Sequence, residues 1–283
     1  MFSRILSTVV LWSVILASLW YFGAHAAVVL LTLLAAVTLY EFYALTAKMG
    51  AKPFRWMGIF FSLLMTAGPY YLGFFLDGSD VISEIDGLAA GLLVLAMLVS
   101  CVRVLWARDA SNRVETVAAT VLGLFYVPFL LQFLVRILTR ETDSGDNLVL
   151  CLWVVAVAKC CDMGALLTGL AIGRHKMAPL ISPKKTWEGA VGGVLVSAGI
   201  GAGIAWYAPA YLPASLTPLV AALIAVPLAI TAIISDLIES ILKRRADAKD
   251  TGALIPGIGG AFDLTDSLIL TAPVAYFIFL FLE

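Results

Sequence analysis

The sequence predicts an all-α, polytopic membrane protein, and its composition and hydropathy support that class. Of its 283 residues, 62% are hydrophobic and only 13% are charged. The mean hydropathy of +1.01 lies far above that of a water-soluble domain. In such a chain the net charge of −1 says nothing about partners, because the distribution of charge among the loops is what matters. No feature of the sequence supports binding of nucleic acid.

We predict about nine transmembrane helices, because nine apolar stretches approach the roughly 20 residues that a hydrocarbon core of about 30 Å requires. They lie near residues 5–22, 25–47, 56–76, 87–106, 115–138, 147–170, 187–207, 217–238 and 264–282. With the N-terminus in the cytoplasm, only Arg136 and Arg140 among the loop cations fall on the outer side. We therefore expect a multi-pass protein of the cell (inner) membrane.

The first span imitates a secretory signal, because Arg4 precedes an apolar run and Ala24-His25-Ala26 follows it. Its apolar run of roughly 18 residues is longer than the usual core of such a signal. We expect a retained helix.

Polar residues divide the chain into two regions. Residues 1–140 have short loops and few polar groups in the membrane, which indicates a transmembrane scaffold; Glu41 is the main exception, and the sequence assigns it no role. Residues 141–283 have polar helix ends and two long cytoplasmic segments, 173–187 and 239–262. We predict that this second region is catalytic.

Acidic residues flank the second cytoplasmic segment at helical spacing. Asp236 and Glu239 lie three residues apart where the eighth span ends, and Asp263 and Asp266 repeat that spacing where the ninth begins. If the segment between them folds back, their carboxylates converge. A charged carboxylate at a membrane helix end is costly unless it is paired or metal-bound. The spacing therefore predicts a cation site, and the alternative is that each acid only pairs with a nearby lysine or arginine.

Basic residues, hydroxyls and glycines near these acids indicate phosphate binding, because cations and exposed glycine amides hold phosphate. In the second segment the candidates are Ser240, Lys243, Arg244, Lys249, Gly259 and Gly260. In the first they are Ser182, Lys184, Lys185 and Thr186, which precede a helix N-terminus that favours anions. The alternatives are a plain turn for the glycines and topology-setting charges for the two lysines.

The sixth span contains Lys159 and Asp162, three residues apart on one helix face. Ionisable groups inside a membrane usually serve function. We expect Asp162 at the edge of the active site, and the alternative is a structural ion pair.

These residues resemble the signature of the phosphatidate cytidylyltransferase family, also called CDP-diacylglycerol synthases. The Ser182–Gly189 block and Asp162 also look like family features. Two positions depart from the pattern: Ile258 stands where the family has His, and Leu264 where it has Arg. These changes remove an imidazole and a bidentate phosphate clamp. The matching signature positions are Ser240, Lys243, Arg244, Lys249, Asp250, Gly252, Pro256, Gly257, Gly259, Gly260, Asp263 and Asp266.

The resemblance implies an enzyme of phospholipid biosynthesis that transfers CMP from CTP to phosphatidic acid, giving CDP-diacylglycerol and pyrophosphate. It implies Mg2+ as cofactor, with Asp236 and Asp263 as its ligands. We expect Asp266 and Lys249 to be catalytic as well, and Asp250 and Asp162 to contact substrate. The expected partners are CTP, phosphatidic acid, the bilayer and a second copy of the chain in a homodimer.

Three alternatives stay open from the residues. They are a CTP-dependent lipid kinase, a cytidylyltransferase for another lipid phosphate, and an ion-coupled transporter that uses Lys159 and Asp162. Transport sites usually lie near the bilayer midplane, whereas the predicted acids cluster toward the cytoplasmic end of their helices.

Overall fold

A computed structural model of the protein describes residues 2–76, 87–106, 112–140, 146–248, 251–252 and 259–282, and side chains of the first helix from Ser13 onward. Some predicted features lie outside the described residues. These are the acidic outer loop 77–86, most of the loop 141–146, and Lys249, Asp250, Pro256, Gly257 and Ile258.

Almost all of the described chain is helical. The helices are α1 (Phe2–Lys48), α2 (Arg55–Leu76), α3 (Leu88–Leu105), α4 (Arg113–Leu124), α5 (Leu130–Leu138), α6 (Asn147–Ile172), α7 (Trp187–Tyr207), α8 (Pro218–Arg245) and α9 (Ala261–Leu280). A π-helical turn, Phe125–Phe129, joins α4 to α5, and a short 3-10 turn, Pro209–Tyr211, follows α7. The predicted all-α membrane class is confirmed.

Eight helical segments within the described residues are long and apolar enough to cross a membrane. The predicted first and second spans both lie in α1, whose backbone leaves the helical region at Gly23 (φ 54°, ψ −131°). The segment from Arg113 to Leu138 counts as one candidate span, although a π-helical turn lies within it. The protein is thus a multi-pass membrane protein, while the number nine and the cytoplasmic N-terminus stay predictions.

The chain forms two compact units. Unit 1 comprises Met1–Val135 and Arg245–Thr265, and unit 2 comprises Arg136–Arg244 and Asp266–Glu283. This division is one of packing. The predicted division into a scaffold, 1–140, and a catalytic region, 141–283, concerns function and stays a prediction.

In unit 1, aromatic side chains of α1 fill the core. Tyr43 is fully buried and donates its hydroxyl proton to the Thr120 main-chain oxygen at 2.8 Å. The rings of Phe42, Tyr126 and Phe262 pack with centroids 6.1 to 6.3 Å apart. Offset and edge-to-face contacts of this kind stabilise an apolar core beyond the area they bury. They anchor the first residues of α9 in this unit.

In unit 2, α6 and α7 pack closely because small residues line their interface. A Cβ on Gly193 would lie 2.7 Å from the Cys161 main-chain oxygen, and one on Gly164 would lie 2.7 Å from Val196. Ser197 donates to the Val157 oxygen across the same interface at 2.7 Å. In a membrane, such close backbone approach and interhelical hydrogen bonds hold helices together.

Two elements differ from the predicted loops. The segment 173–187 contains an antiparallel hairpin of β1 (Lys176–Ala178) and β2 (Ser182–Thr186). Helix α8 continues beyond its apolar run to Arg245, so that the second segment begins as helix. The pair of Lys243 with Glu239, at 2.9 Å and i,i+4 spacing, supports this extension.

Helix α7 begins directly after the hairpin. Thr186 is its N-cap and accepts a hydrogen bond from the Gly189 amide at 3.1 Å. Trp187 and Trp206 lie at its two ends, 58% and 70% exposed. The helix thus presents an exposed indole at each end of its span.

Candidate active site

Three acids of unit 2 come together where α8 ends and α9 passes. Asp236, Glu239 and Asp266 each place a carboxylate oxygen within 4.8 Å of the other two. Glu239 is 1% exposed and Asp266 is 8% exposed. We call Asp236, Glu239 and Asp266 the three-acid cluster. The i,i+3 spacing of Asp236 and Glu239 puts both carboxylates on one side of α8.

Each acid of the cluster is paired with a lysine. Lys185 Nζ lies 2.6 Å from Asp236, Lys243 Nζ lies 2.9 Å from Glu239, and Lys159 Nζ lies 3.3 Å from Asp266. Lys159 also lies 3.4 Å from Asp162 and donates to Ser267 Oγ at 2.7 Å. Carboxylates this close would repel strongly in a low dielectric, and the lysines offset that cost.

The ion pairs leave negative charge in excess. The group holds four carboxylates, those of Asp162 and the three-acid cluster, against three lysines. When all are ionised, their summed charge is −1. Several carboxylate oxygens within a few ångströms of each other are the donor set that a hard divalent cation takes. The cluster therefore fits a metal ion of that kind.

Hydrogen bonds hold both the side chain and the main chain of Asp266. The Ser267 amide donates to its Oδ1 at 2.6 Å, and fully buried Ser235 on α8 donates its hydroxyl proton to the Asp266 main-chain oxygen. The amide bond holds the carboxylate, and the Ser235 bond holds the main chain of α9 against α8. The cluster is thus preorganised by its own helices.

The hairpin brings basic residues to the same part of unit 2. Lys184 and Lys185 lie on β2, and Arg244 Nε donates to the Ile181 main-chain oxygen in the hairpin turn at 3.1 Å. Lys176 lies opposite Thr186 in the register of the two strands. The end of α8 and the hairpin therefore hold each other.

A cavity of about 550 Å3 opens among α6, the hairpin, α7 and α8. Its polar lining comprises Asp162, Lys176, Lys184, Lys185, Thr186 and Asp236. Its apolar wall includes Leu166, Leu170, Met177 and Ile233. A concave site with a few convergent polar groups and an apolar wall is typical of a small-molecule site, and this one suits an amphiphile.

A second cavity, in unit 1, has a different character. It measures about 610 Å3 and is lined by α3, α4 and Phe125. Among the described residues, Arg113 is the only charged one in its lining. We therefore place the candidate site at the cavity that borders Asp236.

Asp263 belongs to unit 1 and lies in the first turn of α9. Its Oδ2 accepts hydrogen bonds from the Gly260 amide at 2.9 Å and from Thr251 Oγ1 at 3.1 Å. The bond to Gly260, at the residue before the helix, has the geometry of a capping box. Gly259 has φ 111°, a conformation that favours glycine, and it begins the turn that presents Asp263.

The profile of the cytidylyltransferase family matches residues 2–282 of the sequence. The chain belongs to this family. It is 37% identical over 164 residues to the phosphatidate cytidylyltransferase of Rickettsia felis, an alignment that covers 56% of this chain and 68% of that protein. The predicted family and enzyme class, a nucleotidyltransferase, are therefore confirmed.

Two further relatives carry the same name. The phosphatidate cytidylyltransferase of Thermotoga maritima is 31% identical over 185 residues, covering 62% of this chain and 64% of the relative. That of Haemophilus influenzae is 30% identical over 155 residues, covering 54% of each chain. The chain thus aligns with between about half and two thirds of these relatives' lengths.

The structure of this cytidylyltransferase-family chain brings together several of the predicted site residues. In unit 2, Asp162, Asp236, Lys184, Lys185 and Thr186 line one cavity, and Asp236 and Asp266 share the three-acid cluster. Lys243 and Arg244 reach Glu239 and the hairpin, Ser240 is half-buried on α8, and Ser182 pairs with Ala178. The predicted sharing of one ion by Asp236 and Asp263 stays a prediction.

The structure places three further residues at or near the predicted site residues. Glu239 completes the cluster, Lys176 lines the cavity, and buried Glu41 accepts hydrogen bonds near Asp263. The signal for Glu41 was present in the sequence, because an acid inside an apolar span indicates function by default. Lys176 gave no such signal, since it lies in a short polar segment that contains several other cations.

Proposed function

We propose that this protein transfers CMP from CTP to phosphatidic acid, with Mg2+, on the cytoplasmic side of the membrane. The products are CDP-diacylglycerol and pyrophosphate. The observation that carries the proposal is the three-acid cluster beside a lysine-lined cavity with an apolar wall, in a chain of the cytidylyltransferase family. The names of the relatives support the same activity.

The chemistry requires two anions to meet. A phosphate oxygen of phosphatidic acid attacks the α-phosphorus of CTP in line, a new P–O bond forms, and the bond from the α-phosphorus to the bridging oxygen breaks. The electron pair leaves on pyrophosphate. Because the lipid phosphate is already an anionic nucleophile, no side chain has to remove a proton from it. The protein's task is to position both anions and stabilise the leaving charge.

The residues divide this task by their charge. Asp236, Glu239 and Asp266 would hold Mg2+. The sequence predicts Asp236 and Asp263 as its ligands, with Asp266 and Glu239 in support, and the role of Asp263 stays a prediction. A bound Mg2+ supplies neutralisation of the triphosphate and of the departing pyrophosphate. Six basic side chains would bind the phosphate oxygens. Lys176, Lys184 and Lys185 line the cavity, Lys243 and Arg244 lie at the end of α8, and Lys249 follows α8 in the sequence.

The apolar wall of the cavity supports binding of a lipid. Leu166 and Leu170 line the cavity and are also 61% and 78% exposed, in a helix that crosses the membrane. Their outer surfaces face acyl chains, while Lys184 and Lys185 line the same cavity. We infer that phosphatidic acid approaches sideways past α6, with its tails in the bilayer and its phosphate toward the lysines.

The test is turnover of the purified protein in lipid nanodiscs with α-labelled CTP, phosphatidic acid and Mg2+. We expect labelled CDP-lipid and free pyrophosphate, and no turnover with a chelator. Asp236→Asn should lower kcat at least about 100-fold, because an anion partner for the metal is lost. Asp146→Asn is the matched control: its side chain caps α6, and asparagine caps equally well.

The same experiment separates the alternatives. A CTP-dependent lipid kinase would leave CDP and a phosphorylated lipid, whereas the proposed reaction leaves pyrophosphate. Transport would show as uptake into sealed vesicles without covalent turnover. Full activity of a folded Asp236→Asn protein would refute the assigned site. The predicted homodimer stays a prediction, and crosslinking in the membrane tests it.

A further inference from the structure

Glu41 is a buried acid in the middle of unit 1. It lies on α1, in a span that is otherwise almost entirely apolar, and is only 6% exposed. A carboxylate at such a place is costly unless donors surround it. In the part of the chain that the structure describes, the donors are a main-chain amide and a hydroxyl. The amide comes from the first turn of α9 and the hydroxyl from the segment before it.

Among the described residues, Glu41 accepts hydrogen bonds from the first turn of α9 and from Thr251. Its Oε2 accepts a hydrogen bond from the Phe262 amide at 2.8 Å and one from Thr251 Oγ1 at 3.1 Å. Phe262 lies in the first turn of α9, where amides have no partner within the helix. Glu41 thus caps α9 from outside, across 221 residues of sequence.

Thr251 connects Glu41 to Asp263. Its Oγ1 lies 3.1 Å from Glu41 Oε2 and 3.1 Å from Asp263 Oδ2. A hydroxyl carries one proton, so the two carboxylates share a single donor between them. The Asp263 side chain, which the Gly260 amide also holds, is therefore linked to Glu41 through Thr251.

Two glycines make room for Glu41. A Cβ on Gly252 would overlap Glu41 Oε1, and a Cβ on Gly260 would lie 2.5 Å from Glu41 Oε2. The main chain therefore approaches one carboxylate closely at two places that precede Asp263. This independent observation indicates that the turn is built around Glu41.

We propose that Glu41 is a positioning residue that orients the first turn of α9, and with it Asp263, for nucleotidyl transfer. The inference rests on the proposed function, which gives Asp263 a part in the reaction. Glu41 acts through hydrogen bonds accepted by its oxygens, so its charge is dispensable. Partners that orient a ligating or reacting group typically contribute about 10- to 100-fold to activity.

The test compares four variants in nanodiscs. Glu41→Ala removes both bonds and should lower kcat about 10- to 100-fold. Glu41→Gln keeps an oxygen acceptor and should restore kcat to within about threefold of the parent, which a role for charge would not allow. Thr251→Val removes only the shared hydroxyl and should lower kcat about tenfold. Thr38→Val is the control, because it breaks another buried α1–α9 hydrogen bond, 3.1 Å to Thr265, and should leave kcat unchanged.

A second measurement is independent of turnover. Hydrogen exchange of the amides from 259 to 265 should speed up in Glu41→Ala and stay at the parent rate in Glu41→Gln. The inference is overturned if Glu41→Ala keeps parent kcat and exchange, or if Glu41→Gln is as slow as Glu41→Ala. If Glu41→Ala does not insert, parent activity of Thr251→Val overturns it. A parent protein that makes no CDP-lipid refutes the proposed function, while the exchange experiment still tests the contact.

Discussion

At the residue scale, the site is defined by ion pairs between acids and lysines. Lys185 approaches Asp236 at 2.6 Å with both side chains largely shielded, 20% and 27% exposed. A lysine so placed competes with any cation for the same carboxylate. It also lines the cavity in which that ion would hold a phosphate. Lys185 should therefore weaken binding of the metal cation and strengthen binding of the CTP phosphates.

Replacing Lys185 should separate these effects. In Lys185→Met we expect the half-saturating Mg2+ concentration to fall about tenfold and the KM for CTP to rise about tenfold, each corresponding to about 1.4 kcal/mol. Mg2+ alone should also raise the unfolding temperature more in the variant than in the parent. In the variant the metal neutralises the Asp236 carboxylate, which has lost its pairing with Lys185. Initial rates and thermal unfolding measure this.

Lys48→Met is the control for that variant, because Lys48 is an exposed lysine at the end of α1 in unit 1. Neither constant should change there. An unchanged or higher Mg2+ requirement in Lys185→Met would contradict competition between the lysine and the cation.

At the element scale, the packing of α6 against α7 positions the cavity, since both helices line it. Gly189 and Gly193 lie one turn apart on α7 and face α6, where a Cβ would meet the main-chain oxygens of Ala165 and Cys161 at 2.8 and 2.7 Å. The interface tolerates no side chain at these positions.

Gly193→Leu should separate the two helices. Overpacking of this kind costs about 1 to 3 kcal/mol or more, and we expect the unfolding temperature in detergent to fall by about 5 to 10 °C with loss of activity. Gly199→Leu is a matched control on the same helix, because nothing among the described residues lies within 4 Å of a Cβ there. Equal stability of the two variants would show that close packing at Gly193 is not required.

The hydropathy of the sequence was sufficient to predict these helices, but three features were missed or incomplete. The hairpin strands are three and five residues long and mostly polar, so they carry no clear alternation. The extension of α8 to Arg245 depends on i,i+4 pairing rather than apolarity. The partners of Glu41 are 210 and 221 residues away, and no single-sequence pattern reports such contacts.

The acids of the site were easier to predict, because two residues three apart on a helix necessarily share one of its faces. The spacing grouped Asp236 with Glu239, and the two acids of the last helix, Asp263 and Asp266, were expected to converge on them. Among the described residues the structure brings Asp266 to that group, and the place of Asp263 stays a prediction. The lysine partners were visible only as a group of cations, since which lysine meets which acid depends on how α6, α8 and the hairpin pack.

At the scale of the whole molecule, the side of the membrane that each helix end faces decides which compartment supplies the site. The charge distribution predicts that the hairpin is cytoplasmic. Leu180 in the hairpin turn is 96% exposed, and exposed Ser215 follows α7 at its other end. The two positions flank one transmembrane helix and therefore report opposite sides.

A cysteine at each position tests the orientation after the four native cysteines are replaced. We expect Leu180→Cys to react with a membrane-impermeant maleimide only in inverted vesicles, and Ser215→Cys only in intact spheroplasts. The reverse pattern would place the site on the outer side and contradict access of cytoplasmic CTP.

The two tryptophans of α7 have a consequence for where a lipid can react. Trp187 and Trp206 are 19 residues apart, a rise of about 29 Å, which matches the thickness of the acyl region. Indoles prefer the boundary between tails and headgroups, which predicts that Lys184 and Lys185, just before Trp187, lie at the level of the glycerophosphate. Lifting a lipid out of its leaflet would cost about 0.8 kcal/mol for every methylene exposed to water. If α7 fixes these lysines at that level, a lipid phosphate can reach them while its acyl chains stay in the bilayer.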